Sequence, residues 1–225
     1  MNVLVCLRMT ARTSPALLDA ADGGTLARAA ALRAGGHAVT ALYSSTIAEA
    51  EAVAAALAPH VDRTVRVGGD DLPTADFHTV GLVLATAIRR IGADLVLAPL
   101  QGEDESLNAA PAALARHLGA RYLPLVDEVA SVDDRGVEVW LRAGGLRRRI
   151  RAALPAVLGT APTTGPLLDK PAPPAGAVAV ENMTISDPDA TVVRRRTELL
   201  GRSEPASRGS QAVGSAAEMV AALRR

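Results

Sequence analysis

A chain of 225 residues is long enough for one well-cored domain, and its 24 basic and 24 acidic side chains cancel, so bulk charge recommends neither nucleic acid nor a membrane surface as partner. Cys6 is the sole cysteine, which excludes an internal disulfide and a cysteine-rich metal site, and the four histidines (37, 60, 78 and 117) have no ligand spacing. Apolar residues make up 49% of the chain but aromatics only 2%, and a core of small aliphatics suits helices packed closely on a parallel sheet.

The opening run Asn2–Leu7 is short, apolar and rich in valine, the pattern of a buried strand. A helix is expected over 25–34, closed by Gly35 and Gly36, followed by a second strand at Ala38–Tyr43. Thr46 and Glu49 have the spacing of a capping box opening a helix to Leu57, and a third strand is expected at 65–67. The clearest helix follows: Phe77, Val80, Leu84, Ile88 and Ile91 share one face at helical spacing, and Gly92 ends it. A fourth strand at 95–98 leads through a polar loop to a helix over 109–118, with Asn108 as N-cap, Pro111 in the first turn and Gly119 as stop.

Strands alternating with helices at this spacing predict an α/β fold: a doubly wound, mainly parallel sheet. Val137, Val139 and Leu141 then alternate with polar residues and Gly144–Gly145 turns the chain, so residues 136–153 read as a β-hairpin appended to the core, with a further core strand at 154–160. Residues 1–161 are expected to form the nucleotide-binding domain. Residues 162–225 are expected to form a Pro-rich extended arm, a Ser/Gly-rich linker and a short amphipathic helix at 216–225, together gripping a partner. No apolar run reaches the roughly 18 residues of a membrane span, and the N-terminal segment lacks a signal-peptide pattern, so a soluble cytoplasmic protein without direct membrane insertion is expected.

In an open parallel sheet, ligands bind outside the carboxyl ends of strands where the winding direction reverses, here between the first and fourth strands. The segment 101–108 (QGEDESLN) packs polar side chains against a helix N-terminus, whose unpaired N–H groups and partial positive charge suit a phosphate. Its acidic residues disfavour bare anion capture and suit a ribose hydroxyl or a distal metal instead; simple helix capping by Asp104 and Asn108 is the competing reading. Neither a Walker motif nor a G-x-G-x-x-G is present. Arg147, Arg148, Arg149 and Arg151 are expected on a solvated strand face, and no catalytic triad or carboxylate pair can be assembled.

In their order, these pieces resemble the beta (small) subunit family of electron-transfer flavoproteins over about residues 1–200. The opening NVLVCLR is similar to the family's first strand, and Asp19 and Asp22 stand where the family has an Asn-Pro-x-Asp-Glu segment. GADLVLAPLQGEDESLN resembles the signature GADLVL-x-G-K-Q-A-x-D, keeping Gln101 and Asp104, and RAGGLRRRIRAALPAVLGT is similar to the family's hairpin-then-strand block. The tail SAAEMVAALRR looks like its closing helix. Residues 162–176 replace the segment that includes the dehydrogenase-recognition loop, and the Arg/Ala-rich, lysine-poor composition makes the mycofactocin-associated branch a candidate.

The resemblance implies a non-catalytic electron-carrier subunit of a heterodimer. It implies a structural AMP held by Cys6, Asp19, Ser44, Gln101, Asp104 and Asn108, with backbone N–H groups of Ala109 and Ala110 at the phosphate. It further implies FAD bound mainly by an alpha subunit, a dehydrogenase as electron donor and a quinone reductase as acceptor. A universal-stress-type adenine-nucleotide-binding module without flavin is the alternative, and an interaction protein that has lost its nucleotide site is a third.

Overall fold

A computed structural model of the protein describes residues 1–7, 18, 20–68, 72, 77–100, 109–161 and 180–185. Strands β1 (Asn2–Leu7), β2 (Ala38–Tyr43), β3 (Arg63–Val67), β4 (Leu95–Pro99) and β8 (Ala156–Thr160) are separated by helices α1 (Ala20–Ala34), α2 (Ala50–Leu57), α3 (Phe77–Ile91) and α4 (Ala110–Leu118), then by the chain of β5 (Arg121–Asp133), β6 (Gly136–Ala143) and β7 (Leu146–Ala152). A short β9 (Glu181–Met183) completes a nine-stranded sheet of order β7-β6-β5-β8-β4-β1-β2-β3-β9. The fold is α/β and the sheet mostly parallel, as the alternating pattern predicts.

β1 explains why both faces are covered. Leu4 and Cys6 enter one core with residues of α3 and α4, whereas Val3, Val5 and Leu7 enter the other with residues of α1 and α2. A strand whose side chains alternate between two buried faces must be apolar throughout, which is why β1 and β4 read as continuous hydrophobic runs. Small residues bring helices close. Gly81 of α3 lies so near α4 that a Cβ there would be 3.0 Å from both the Ala113 Cβ and the Leu114 nitrogen.

Several boundaries differ from expectation. α1 starts at Ala20 rather than residue 25; Arg28 Nε ties the helix to β5 by donating to Asp127 O, while Arg28 Nη1 donates to Gly24 O one turn back in the helix. α4 is capped by Ala109, one residue after the expected Asn108, with Pro111 in its first turn and Gly119 left-handed (φ 66°) at its end. α2 begins at Ala50, so the Thr46–Glu49 pair closes the turn before it, the Glu49 carboxylate accepting from the Thr46 N–H and hydroxyl. Phe77 is exposed despite its place on the apolar stripe, while Thr79, Gly81, Val83, Ala85 and Ala87 are buried with Val80, Leu84 and Ile88. The buried face of α3 is thus wider than one stripe.

β5 has no counterpart in the sequence pattern, and its bulges say why. It begins parallel to β8 and ends antiparallel to β6, with register shifts between Leu123 and Val126, Val126 and Glu128, and Val129 and Ser131. Each extra residue resets the alternation, so Val126, Val129 and Val132 recur every third position instead of every second. Leu125, with φ 56°, lies at the first shift. The hairpin is as expected: β6 and β7 pair from Val137–Ala152 to Ala143–Leu146 around Gly144–Gly145. Within the segment expected as an arm, residues 180–185 are described and β9 pairs parallel with β3; the rest of the arm and the terminal helix lie outside the described residues.

At the α3–α4 contact the His78 and His117 rings stand 4.8 Å apart. Burial first, then the charges of His78, Arg89 and Arg116, lower the His117 pKa from its ordinary 6.5, and burial with Arg33 lowers that of His60. The unfolded chain therefore holds these protons more tightly, so stability is complete above about pH 6.5 and declines as pH falls through the histidine range. The urea midpoint should fall between pH 7 and 5.5, and His117→Asn should reduce that slope. Gly81→Val should cost about 1–3 kcal/mol in urea unfolding by overpacking the same helix pair, with Gly81→Ala smaller.

Candidate functional site

Strand order places the reversal between β1 and β4: the chain runs from β1 outward to β2 and β3, then crosses back to β4 and β8 on the other side. β1 pairs parallel with both β2 and β4, which is the arrangement that opens a crevice at the carboxyl edge. The expected position of a ligand is therefore a consequence of the topology.

The wall of this edge is polar and buried. Asp22 and Thr25 of α1, Ser44 and Ser45 after β2, Arg66 of β3 and Thr160 of β8 are each under 7% exposed. Thr25 Oγ1 and Thr160 Oγ1 are 2.5 Å apart, with Ala21 O 2.8 Å from the first and Ala98 O 3.2 Å from the second. Two hydroxyl protons are thus shared over three contacts, joining α1 to β8 across the end of β4. Arg66 Nε donates to Ser45 O at 2.9 Å and Arg66 Nη1 lies 3.4 Å from Gly68 O and from Asn182 Oδ1, which fixes the chain leaving β2 against β3 and β9. Tyr43 Oη donates to Ala50 O and ties the start of α2 to the same corner.

Two hydroxyls at this end of the sheet are buried with no hydrogen-bond partner, Ser45 Oγ and Tyr122 Oη. Burying a hydroxyl unsatisfied costs about 1–3 kcal/mol, so such atoms mark places where a ligand or water completes the structure. Tyr122 leans over Gly159, where a Cβ would meet its hydroxyl at 2.8 Å, and burial raises its pKa above 10.

The expected site residues divide into two groups. Cys6 is fully buried mid-sheet beside Leu42, and burial pushes its thiol up to about 12, so it is a neutral apolar side chain with no free thiolate. Ser44 follows β2 and is buried. Ala109 and Ala110 form the entry to α4, where the first intrahelical bond is Ala113 N to Ala109 O. Pro111 has no N–H, so the Ala110 and Ala112 donors are left without an intrahelical acceptor, the condition that suits an anion. Asp19, Gln101, Asp104 and Asn108 lie outside the described residues. The topology brings Ser44 and the α4 entry to one edge. Thr25, Ser45, Arg66, Tyr122 and Thr160 were not singled out for this site, because a serine, threonine or arginine next to an apolar run carries no periodic signal of its own.

The arginines of β7 are exposed, as expected, and Arg147, Arg149 and Arg151 are also paired. Arg147 bridges Asp127 and Glu128, Arg149 pairs with Glu138, and Arg151 with Asp133, while Arg147 and Arg149 stand 5.0 and 5.8 Å from the Trp140 ring centre. This face is close to neutral and gives an acidic partner little net attraction. A groove of about 430 Å³ between α1 and β5, lined among others by Arg28, Leu32, His37, Glu128 and Ser131, shares no residue with the carboxyl-edge wall. Among the described residues no cluster of three or more His, Cys, Asp or Glu has metal-binding geometry, and no helix is long and apolar enough to cross a membrane.

Comparison with protein families finds that the model described as "Electron transfer flavoprotein domain" fits residues 8–188, most of the chain. A search of curated proteins finds no match. Thr160→Val, which removes the hydroxyl shared with Thr25 while keeping the shape, should cost roughly 1–2 kcal/mol in urea unfolding.

Proposed function

Because the chain belongs to the electron transfer flavoprotein domain family, a flavin-associated family of electron carriers, we propose that it is the beta subunit of a heterodimeric carrier and performs no chemistry by itself. It holds a structural AMP, pairs with an alpha subunit that binds the FAD, and helps enclose that flavin. Electrons arrive from a flavin-linked dehydrogenase and leave towards a quinone reductase and the respiratory chain, in the cytoplasm. The observation that carries this reading is the reversal of strand order between β1 and β4, with the N–H groups of the α4 entry and a buried polar wall at the same carboxyl edge.

The residues present fit a mononucleotide. Backbone donors at Ala110 and Ala112 suit a phosphate, and the partnerless Ser45 hydroxyl offers one more hydrogen bond. Cys6, Asp19, Ser44, Gln101, Asp104, Asn108, Ala109 and Ala110 are the residues proposed around it, Cys6 acting through packing because its thiol is neutral and enclosed. FAD, when bound by the partner, supplies the reversible electron transfer; this chain contributes position and exclusion of water. The appended β5–β6–β7 layer and the proposed arm extend the protein beyond the nucleotide fold, and we assign the partner contact to them.

The test is co-expression of the full chain with its candidate alpha subunit, purification of the complex, and mass spectrometry of ligands released on denaturation. The expected result is a stable heterodimer releasing one AMP and one FAD. A chain that stays monomeric beside the alpha subunit and yields ATP or AMP without flavin would overturn the carrier reading in favour of a free-standing adenine-nucleotide module.

A further inference from the structure

β7 closes one end of the sheet, so among the described residues one edge of its backbone has no strand beside it. The turn into β7 determines which groups that edge presents. Gly144 and Gly145 have φ of 55° and 79°, and Ala143 pairs with Leu146 across them, the geometry of a tight two-residue hairpin. In such a hairpin the flanking pair exchanges both of its hydrogen bonds, and bonded pairs then recur at every second position. Leu146, Arg148, Ile150 and Ala152 therefore turn their N–H and C=O groups to β6, while those of Arg147, Arg149 and Arg151 point away from the sheet. The side chains divide in the same rhythm. Arg147, Arg149 and Arg151 share the face of Trp140 and are paired with acids. Leu146, Arg148 and Ile150 lie on the opposite face, where Ile150 packs against the core and Leu146 is 60% exposed. Arg148 is exposed between them and has no ion pair or side-chain hydrogen bond among the described residues.

We propose that this edge is completed by an antiparallel strand of the partner subunit, which sets a carboxylate opposite Arg148. The inference rests on the heterodimer reading above and gives the contact a place and a sequence pattern. An antiparallel strand continues the run of β5, β6 and β7, each antiparallel to the one before. It bonds to the outward N–H and C=O groups of Arg147, Arg149 and Arg151. Leu146, Arg148 and Ile150 then fall at the non-hydrogen-bonded positions, where facing side chains are closest, with Cα atoms about 4.5 Å apart. Opposite charge is favoured across from Arg148, and apolar side chains across from Leu146 and Ile150. The partner strand therefore carries an acid at its centre and an apolar residue two positions to either side. A second copy of this chain does not match that pattern. An antiparallel β7 centred on Arg148 or on Arg149 sets arginine against arginine, which is destabilising.

The experiment compares amide hydrogen exchange, read residue by residue by NMR, in the isolated full chain and in its complex with the candidate alpha subunit. The amides of Arg147, Arg149 and Arg151 should exchange freely in the isolated chain and slow by about tenfold or more in the complex. Those of Leu146, Arg148 and Ile150 should be protected in both. Arg149→Pro removes an outward N–H and leaves the ladder to β6 intact, so it should weaken association roughly tenfold relative to Arg149→Ala. Thermal unfolding of the two isolated variants should be similar. Arg148→Glu should weaken association by about tenfold, and Arg148→Lys, which keeps the charge, by much less. A complex that forms while the outward amides still exchange freely overturns the inference and leaves the heterodimer reading standing. So does full-strength association of Arg148→Glu. Slow exchange of the outward amides in the isolated chain would show the edge covered without the partner, and also overturns it. Absence of any complex sinks the heterodimer reading and this inference together.

Discussion

The parallel pairing of β1 with β2 on one side and β4 on the other is the constraint from which the rest of the molecule follows. A strand in that position has no edge and no solvent face, so each of Val3 to Leu7 is buried. It also requires the chain to cross back between β3 and β4, which places α3 and α4 on the face opposite α1 and α2. That reversal sets the carboxyl ends of β1 and β4 between two helical layers. With so few aromatic side chains, packing relies on close approach, and within the layer formed by α3 and α4 Gly81 comes close to Ala113 and Leu114.

β5 turns this nucleotide-type core into something larger. Val126 pairs with Thr160 of β8 and with Leu141 of β6, so a single residue joins the parallel sheet to the antiparallel extension. The positive φ of Leu125 and the neighbouring bulges let one strand serve both partners. Beyond it, Asp127, Glu128 and Asp133 of β5 and Glu138 of β6 are matched with Arg147, Arg149 and Arg151 of β7. Exposed pairs of this kind add little stability each. Their effect is to remove net charge from a broad strand face, so that shape and apolar contact govern whatever docks on it.

The sequence exposes this architecture unevenly, for physical reasons. Strands β1 and β4 and helix α3 are legible because burial forces a simple apolar pattern, and the hairpin is legible through the alternation of Val137, Val139 and Leu141 around Gly144–Gly145. β5 is hidden because its bulges replace alternation by a three-residue spacing, and β9 because three residues are too few to show a period. The start of α1 is hidden for another reason: Gly23 and Gly24 argue locally against helix, and Arg28 and Thr25 override them through contacts made far along the chain. The place where the winding direction reverses was readable from strand alternation alone. The polar segment 101–108 was readable from its residues and the other candidates from a resemblance; of them Ser44, Ala109 and Ala110 lie towards the carboxyl edge, Cys6 lies beneath it in the core, and Asp19, Gln101, Asp104 and Asn108 lie outside the described residues.

What distinguishes the polar residues of this edge is how far each is already satisfied by the protein. Thr25 and Thr160 satisfy one another, and Arg66 is bound to the carbonyls of Ser45 and Gly68. These groups make the wall rigid without offering it to a ligand. Ser45 Oγ, just past the end of β2, and Tyr122 Oη of β5 are both buried and unpaired. A fold that leaves such atoms unsatisfied is less stable empty than filled, and the difference is returned as affinity when a matching group arrives. At this edge the more numerous bonded groups hold the few unpaired hydroxyls and helix N–H groups in place.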